Sequence, residues 1–194
     1  MIIGKARCAI LYMLSEIRLF SLNFLRQPFK NASIVPSSKR TCVTLLRGID
    51  FDRMSTIVEL GSGTGVITQE ILKRARPGAR VICIEFEPTY IPLLREKFGD
   101  RVIIENESAH RMDEILLKHG ITKVDLIISS LPILPGDIKE KIFASIRRHT
   151  ESGTVFRFIT YMAPIVRRVY RELPIQKKSF TFWNIPPVWV FGIN

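Results

Sequence analysis

The chain has 194 residues, 46% of them hydrophobic and 24% charged, which suits one globular domain of ordinary size and excludes wholesale disorder. Its formal charge is +11 and its pI about 10.0, so an anionic partner is expected, either nucleic acid or a surface of acidic lipids. Cys8, Cys42 and Cys83 show no CxxC spacing and no histidine at ligand distance, so no metal site is expected and a reducing compartment is the default.

The charge sits at the two ends. Residues 1–50 carry eight Lys/Arg against two Asp/Glu, residues 137–194 carry ten against four, and the stretch between them is nearly neutral. Such a pattern serves either solubility or, as the sharper expectation, a placement of both flanks against one anionic surface. No run of eighteen apolar residues occurs, so no transmembrane helix is expected. A secretory signal is poorly supported, because Glu16 and Arg18 follow the apolar "CAILYML" at once, without a small-residue cleavage site.

In chain order, residues 8–26 read as an amphipathic helix with Ile10, Met13, Ile17, Phe20 and Phe24 on one stripe. That stripe either packs on the domain or lies in a membrane interface with its arginines toward the headgroups. "RQPFKNASIVPSSKR" then reads as a linker, and Ser37 or Ser38 is placed to cap a helix over 39–47. The expected division is a membrane-associating segment over 1–35 and a second domain over 36–194. From there strands are expected at 56–60, 80–86, 101–106, 124–130 and 154–161, alternating with helices at 66–75, 88–98, 112–120 and 136–150. This alternation predicts a parallel, doubly wound α/β sheet. Two further strands, 177–184 and 186–194, have too short a connection for a crossover and must pair antiparallel. The expected fold is therefore a Rossmann-like sheet of seven strands, five parallel βα units plus a C-terminal antiparallel hairpin, preceded by an amphipathic helix.

"VELGSGTG" lies between the first strand and the first helix of this pattern. Gly61, Gly63 and Gly65, with Ser62 between them, bring backbone close to a ligand at the switch point of the sheet. The spacing is not the G-x-G-x-x-G of dinucleotide sites, and no Walker lysine follows. Glu59 would repel a pyrophosphate but suits a cationic end such as a methionine amino group. Glu85 closes the second strand twenty residues after Gly65, where a carboxylate accepts from ribose hydroxyls, and Phe86 beside it is placed to lie on an adenine face. Adenosine joined to a cationic amino-acid tail is S-adenosylmethionine, whose product is S-adenosylhomocysteine.

At these residues the sequence resembles the class I S-adenosylmethionine-dependent methyltransferases, with "VELGSGTG" as their first motif and "IEFEP" as their second. "ESAHRM" falls at the adenine-binding motif, which implies that Ser108 and Ala109 border the base; Ser108 stands where many members carry an acceptor Asp. Taken together, "VPSSKRTCVTLL", "LGSGTGVITQEIL", "IEFEP", "DLIISSLPIL" and "FITYMAP…FWNIPPVWVF" resemble the bacterial phospholipid N-methyltransferases. The resemblance implies a cytoplasmic enzyme, peripherally bound to the inner membrane face, that methylates the amine of phosphatidylethanolamine toward phosphatidylcholine. Ornithine lipid offers the same primary amine and is the alternative lipid. The ribosomal RNA adenine dimethyltransferases are similar too, but their "N-L-P-Y" is Ser129-Ser130-Leu131-Pro132-Ile133 here, without the Asn or the aromatic ring. Nucleic acid is therefore the weaker alternative, and no stable protein partner is expected. A scaffold that has lost the chemistry is disfavoured by the intact pair Glu59 and Glu85.

Methyl transfer from a sulfonium needs the nucleophile held in line and water excluded, with no metal or covalent residue. The acceptor amine is expected at the ends of the fourth and fifth strands, beside Ser129, Ser130 and Tyr161, with Tyr161 either facing the methylated cation or bonding the headgroup. Arg40, Arg157, Arg167 and Arg168 are the candidates for a substrate phosphate. His110, Glu87 and Asp137 lie near the same ends, and none is singled out as a base.

Overall fold

The computed structural model describes residues 35–132, 134, 136–160, 163–181 and 188–194. The helix expected over 8–26 lies outside them, and the division expected at residue 35 falls at their edge. Seven strands form one sheet: β1 (Thr56–Leu60), β2 (Arg80–Ile84), β3 (Ile103–Glu105), β4 (Leu126–Ser129), β5 (Val155–Thr160), β6 (Gln176–Thr181) and β7 (Val188–Ile193). The order is β3-β2-β1-β4-β5-β7-β6. The first five are parallel, while β7 runs antiparallel to β5 and to β6. The expected seven-strand α/β fold with its antiparallel C-terminal hairpin is borne out.

The central strands are apolar on both faces because helices cover both. Ile57, Val58 and Leu60 of β1 are all fully buried, as a parallel strand between two helical layers requires. Burial of each contributes about 1.5–3 kcal/mol. Side-chain alternation divides the core. Val58, Leu60, Ile82, Ile84 and Ile127 pack with Met112, Ile115 and Leu116 of α4 (Met112–Lys118) and with Ile142, Phe143 and Ile146 of α5 (Gly136–Glu151). Ile57, Val81, Cys83, Leu126 and Ile128 face the other way, onto Leu45 of α1 (Val35–Leu45), Ile71 of α2 (Val66–Leu72) and Leu94 and Phe98 of α3 (Ile91–Phe98). Cys83 is fully buried in this layer.

Several boundaries differ from the expected ones. Helix α1 begins at Val35 rather than at 39, so Ser37 and Ser38 lie inside its first turns and are not caps. Pro36 explains the early start, since proline's fixed φ suits a first turn and its missing N–H costs nothing there. Strand β3 shrinks to Ile103–Glu105 because Gly99–Arg101 forms a turn of 3-10 helix. The pattern also missed α6 (Ala163–Val169), which follows β5. The chain winds outward from β1 to β3 and then returns to β4 on the other side of β1. The reversal opens a crevice at the carboxyl ends of β1 and β4.

Candidate active site

The turn after β1 occupies that crevice. Gly61, Gly63 and Gly65 all have positive φ, at 78°, 50° and 80°. Each differs in what a side chain would meet. A Cβ on Gly65 would lie 2.5 Å from Phe98 Cε2 and 2.9 Å from Leu94 Cδ2, so this glycine lets the turn sit against α3. A Cβ on Gly61 would lie 3.0 Å from Leu131 Cδ2. Around Gly63 nothing comes within 4 Å, which marks the open side of the turn. Ser62 is buried within it.

Glu59 lies one residue before the end of β1 and is fully buried. Alternation turns it toward the α1–α3 layer, where Thr68 of α2 donates its hydroxyl to Oε2 at 2.6 Å. The Cys83 thiol lies 3.6 Å from the same oxygen. Oε1 has no partner among the described residues. Burial is the main reason that the carboxyl is raised from 4.5 to about 8; the hydroxyl of Thr68 and the thiol of Cys83 pull it back, and Glu85 pushes it up slightly. A buried acceptor without a donor is costly, and a cationic amine is the donor that would relieve it.

Glu85 follows β2 and is also buried. The Gly63 N–H donates to its Oε2 at 2.7 Å, and the Glu87 N–H donates to its Oε1 at 2.8 Å. It thus clamps the open side of the glycine turn to the β2 loop. A carboxylate has about four acceptor positions, so both oxygens can still accept from a diol. Next to it Phe86 is 68% exposed, the arrangement needed for a ring that stacks on a base. Asn106 was not foreseen: its Nδ2 donates to the carbonyls of Glu85 and Phe86 at 2.9 and 3.0 Å, holding this loop against the end of β3. Thr68, the partner of Glu59, was missed as well. The Ser108 hydroxyl lies 2.8 Å from His110 Nδ1, while Ala109 is buried in the core.

On the β4 side, Ser129 is buried and its Oγ accepts from the Leu131 N–H at 3.4 Å. Ser130 is tied to the turn at two points. Its N–H donates to the Leu60 carbonyl at 3.1 Å and its hydroxyl to the Gly61 carbonyl at 2.5 Å. Ser129, Leu131 and Pro132 continue into a narrow cleft of about 20 Å³, also lined by Phe143, Tyr170 and the half-buried Lys139. Lys139 is a cation the sequence pattern did not single out.

The arginines divide. Arg157 is not a substrate contact. It is 4% exposed, opposite Gly192 in the β5–β7 ladder, and it donates to the carbonyls of Phe156 and Ile193 at 3.2 Å and to Asn194 Oδ1 at 2.7 Å. Burial lowers its pKa. A side chain on Gly192 would overlap the Phe156 carbonyl and crowd the guanidinium, so the glycine makes room for this internal brace. Arg40 is exposed on α1 and Arg168 on α6. Tyr161 and the side chain of Arg167 lie outside the described residues.

The structure therefore gathers Glu59, the three glycines, Ser62, Glu85, Phe86, Ser108, Ala109, Ser129 and Ser130 at the carboxyl ends of four adjacent strands. The donor set fits S-adenosylmethionine: an orphaned buried carboxyl oxygen for a cation, a second carboxylate for a diol, an exposed ring for a base and an open glycine between them. Residues 51–183 match the family model of the methyltransferase domain. The chain is 31% identical to an ornithine lipid N-methyltransferase of Singulisphaera acidiphila over 92% of its own length and 95% of that protein's. It is 29% identical to ribosomal RNA small subunit methyltransferase A of Thermotoga petrophila, but over only 55% of this chain and 38% of that one. In fold it is similar to Aeropyrum pernix fibrillarin in complex with natively bound S-adenosylmethionine, with a TM-score of 0.59 and 13% identity over 80% of this chain and 76% of that one. The chain belongs to the methyltransferase domain family, and it is a class I methyltransferase that uses S-adenosylmethionine.

Proposed function

We propose that this enzyme methylates the primary amine of a lipid headgroup at an anionic membrane surface, with ornithine lipid as its first substrate. The observation that carries the reading is the likeness to an ornithine lipid N-methyltransferase across 92% of the chain, well beyond the glycine turn and its neighbours. The motif order favours phosphatidylethanolamine as a second substrate, since it presents the same amine. The RNA reading rests on about half of the chain and lacks the Asn and aromatic ring at 129–133.

In this reading the chain's residues act by placement. Glu59 takes the cationic tail of the cofactor, Glu85 its ribose and Phe86 its adenine, with Ser108 and Ala109 at the base. The cofactor supplies the electrophilic methyl group when bound. Ser129, Ser130 and Tyr161 border the acceptor, which must be a neutral amine to attack in line at roughly 3–3.5 Å. Arg40, Arg167, Arg168 and Lys139 are the candidate cations for the acceptor's anionic group. The basic flanks draw the protein to acidic lipids by about 1 kcal/mol per charge near the surface, and residues 1–35 form the membrane-associating segment on the cytoplasmic face. No helix among the described residues is long and apolar enough to cross a membrane.

The test offers labelled S-adenosylmethionine with vesicles of ornithine lipid, vesicles of phosphatidylethanolamine, and ribosomal RNA in separate reactions. Label is expected in ornithine lipid first. Label in RNA alone would overturn the proposal. Removing residues 1–26 should abolish most vesicle binding, and full retention would refute the role given to that segment.

A further inference from the structure

A second concave site lies behind the glycine turn, between α2 and α3. It is a pocket of about 290 Å³ lined by Gln69, Leu72, Lys73, Lys97, Phe98 and Arg101. Three of the six are cations around an apolar floor. Lys73 is paired with Glu70 at 2.6 Å. Lys97 donates to the Thr64 carbonyl at 2.7 Å, and Arg101 to the Lys97 carbonyl at 3.3 Å. Among the described residues, neither Lys97 nor Arg101 forms an ion pair with a carboxylate. Cations of one sign in a concavity with low-dielectric walls focus the field and concentrate anions.

We propose that this pocket binds a phosphate group and is coupled to the cofactor turn. A phosphate offers several acceptor oxygens, which suits a concavity lined by three cations and an amide. Arg101 contributes a planar fork, Lys73 and Lys97 point charges, and Gln69 an amide donor. Coupling follows from two contacts. Lys97 holds the carbonyl of Thr64, inside the turn, and the Phe98 ring is the surface that the turn's Gly65 packs against. The Lys97 ammonium has three donors. It keeps Thr64 while reaching an anion, so an occupied pocket stiffens the turn and tightens cofactor binding. The phosphate comes either from a soluble phosphomonoester or from the headgroup of an acidic lipid. The inference rests on the cofactor class and not on the identity of the methylated lipid. A chain that methylates ornithine lipid but binds no phosphate would refute this inference alone.

The full chain is titrated by calorimetry with inorganic phosphate at constant ionic strength, with and without saturating S-adenosylhomocysteine. In parallel it is floated with vesicles of phosphatidylglycerol or of phosphatidylcholine. Lys73→Gln with Arg101→Gln removes two pocket charges. Arg53→Gln with Lys123→Gln removes two highly exposed charges elsewhere and serves as the control. Circular dichroism checks that both variants fold. The expected result is a loss of at least about tenfold in phosphate affinity for the pocket variant and less than twofold for the control, with a several-fold reciprocal gain between phosphate and S-adenosylhomocysteine. If phosphatidylglycerol vesicles alone show the selective loss, the source is the lipid headgroup. Equal losses in the two variants, or binding of neither phosphate nor phosphatidylglycerol vesicles, overturn the site. Unchanged S-adenosylhomocysteine affinity with the pocket filled overturns the coupling.

Discussion

Replacing Glu59 by glutamine should stabilise the free protein at alkaline pH while weakening its hold on the cofactor. The carboxyl is fully buried and shifts from 4.5 to about 8, chiefly by burial. A folded-state pKa above the unfolded one favours the protonated native form. That contribution is complete below about pH 4.5 and is lost as pH rises toward 8. Each unit corresponds to about 1.4 kcal/mol, so roughly 3 kcal/mol is lost by pH 7 and up to about 5 by pH 9. This is a large share of the ~5–15 kcal/mol that holds an ordinary domain together. Glutamine keeps an oxygen for the Thr68 hydroxyl and has nothing to ionise. Urea unfolding of both proteins from pH 5 to 9 should give midpoints that diverge upward, with the variant more stable above pH 7. Titration with S-adenosylhomocysteine at pH 8 should show the variant binding at least tenfold more weakly, because the orphaned Oε1 is read as the acceptor for the ligand's ammonium. Parallel stability profiles across the range would refute the buried neutral carboxyl. Equal affinities would refute its role toward the cation.

Glu85→Gln turns one of two well-placed acceptors into an amide donor that faces a backbone N–H. About 2 kcal/mol of stability and at least tenfold in S-adenosylhomocysteine affinity should be lost, measured by urea unfolding and calorimetry. Gly65→Ala combines a left-handed backbone cost of about 1–2 kcal/mol with overpacking of about 1–3 kcal/mol against Phe98. At about 2–4 °C per kcal/mol its Tm should fall by roughly 5–20 °C, whereas Gly63→Ala, with open space around it, should lose only the backbone part. Ser130→Ala removes the hydroxyl that braces the Gly61 carbonyl, a loss of about 1 kcal/mol. Its S-adenosylhomocysteine affinity should drop about fivefold, with a rise in the KM for lipid because Ser130 also borders the proposed acceptor, and an unchanged S-adenosylhomocysteine affinity would refute the bracing role.

The strands that proved easiest to read were those buried on both faces. "TIVEL", "RVICI" and "LIIS" are short apolar runs bounded by turn residues, and the layered core demands such runs. The glycine turn and the two glutamates were legible for a related reason, since their spacing is fixed by the length of one βα unit. What stayed hidden depends on partners distant in sequence. Arg157 reads as a surface cation in "TVFRFITY", and only the register that sets it opposite Gly192 shows it to be internal. Thr68 is two residues into an amphipathic helix, and nothing in that helix says that it answers Glu59 across the layer. Asn106 directly follows β3, where an amide reads as a turn former, yet its donors close the β2 loop. Helix α6 is seven residues long, too short for a helical period to stand out, and Pro164 in its first turn is its one start signal.

The bracing of the turn explains why the cofactor was easier to infer than the acceptor. Gly61 is held through Ser130 just after β4, Gly63 through Glu85 after β2, and Thr64 through Lys97 on α3. Asn106 then ties the β2 loop to β3. The restraints come from both sides of the crevice, so the turn is partly ordered before any ligand arrives and less order remains to be imposed on binding. This scaffold is nearly all within residues 56–130, the part of the chain with almost no net charge. A sulfonium methyl asks little of the protein beyond alignment. In the proposed reading the acceptor is chosen by what lies at the end of β4 and by the basic flanks, with Lys139 in the cleft beyond Ser129. One half of the protein can stay constant among relatives named for lipid and for RNA methylation, while in the proposed reading the other half sets the substrate. That partition explains why likeness limited to the glycine-turn half, as with the RNA enzymes, carries less weight than likeness along the whole chain.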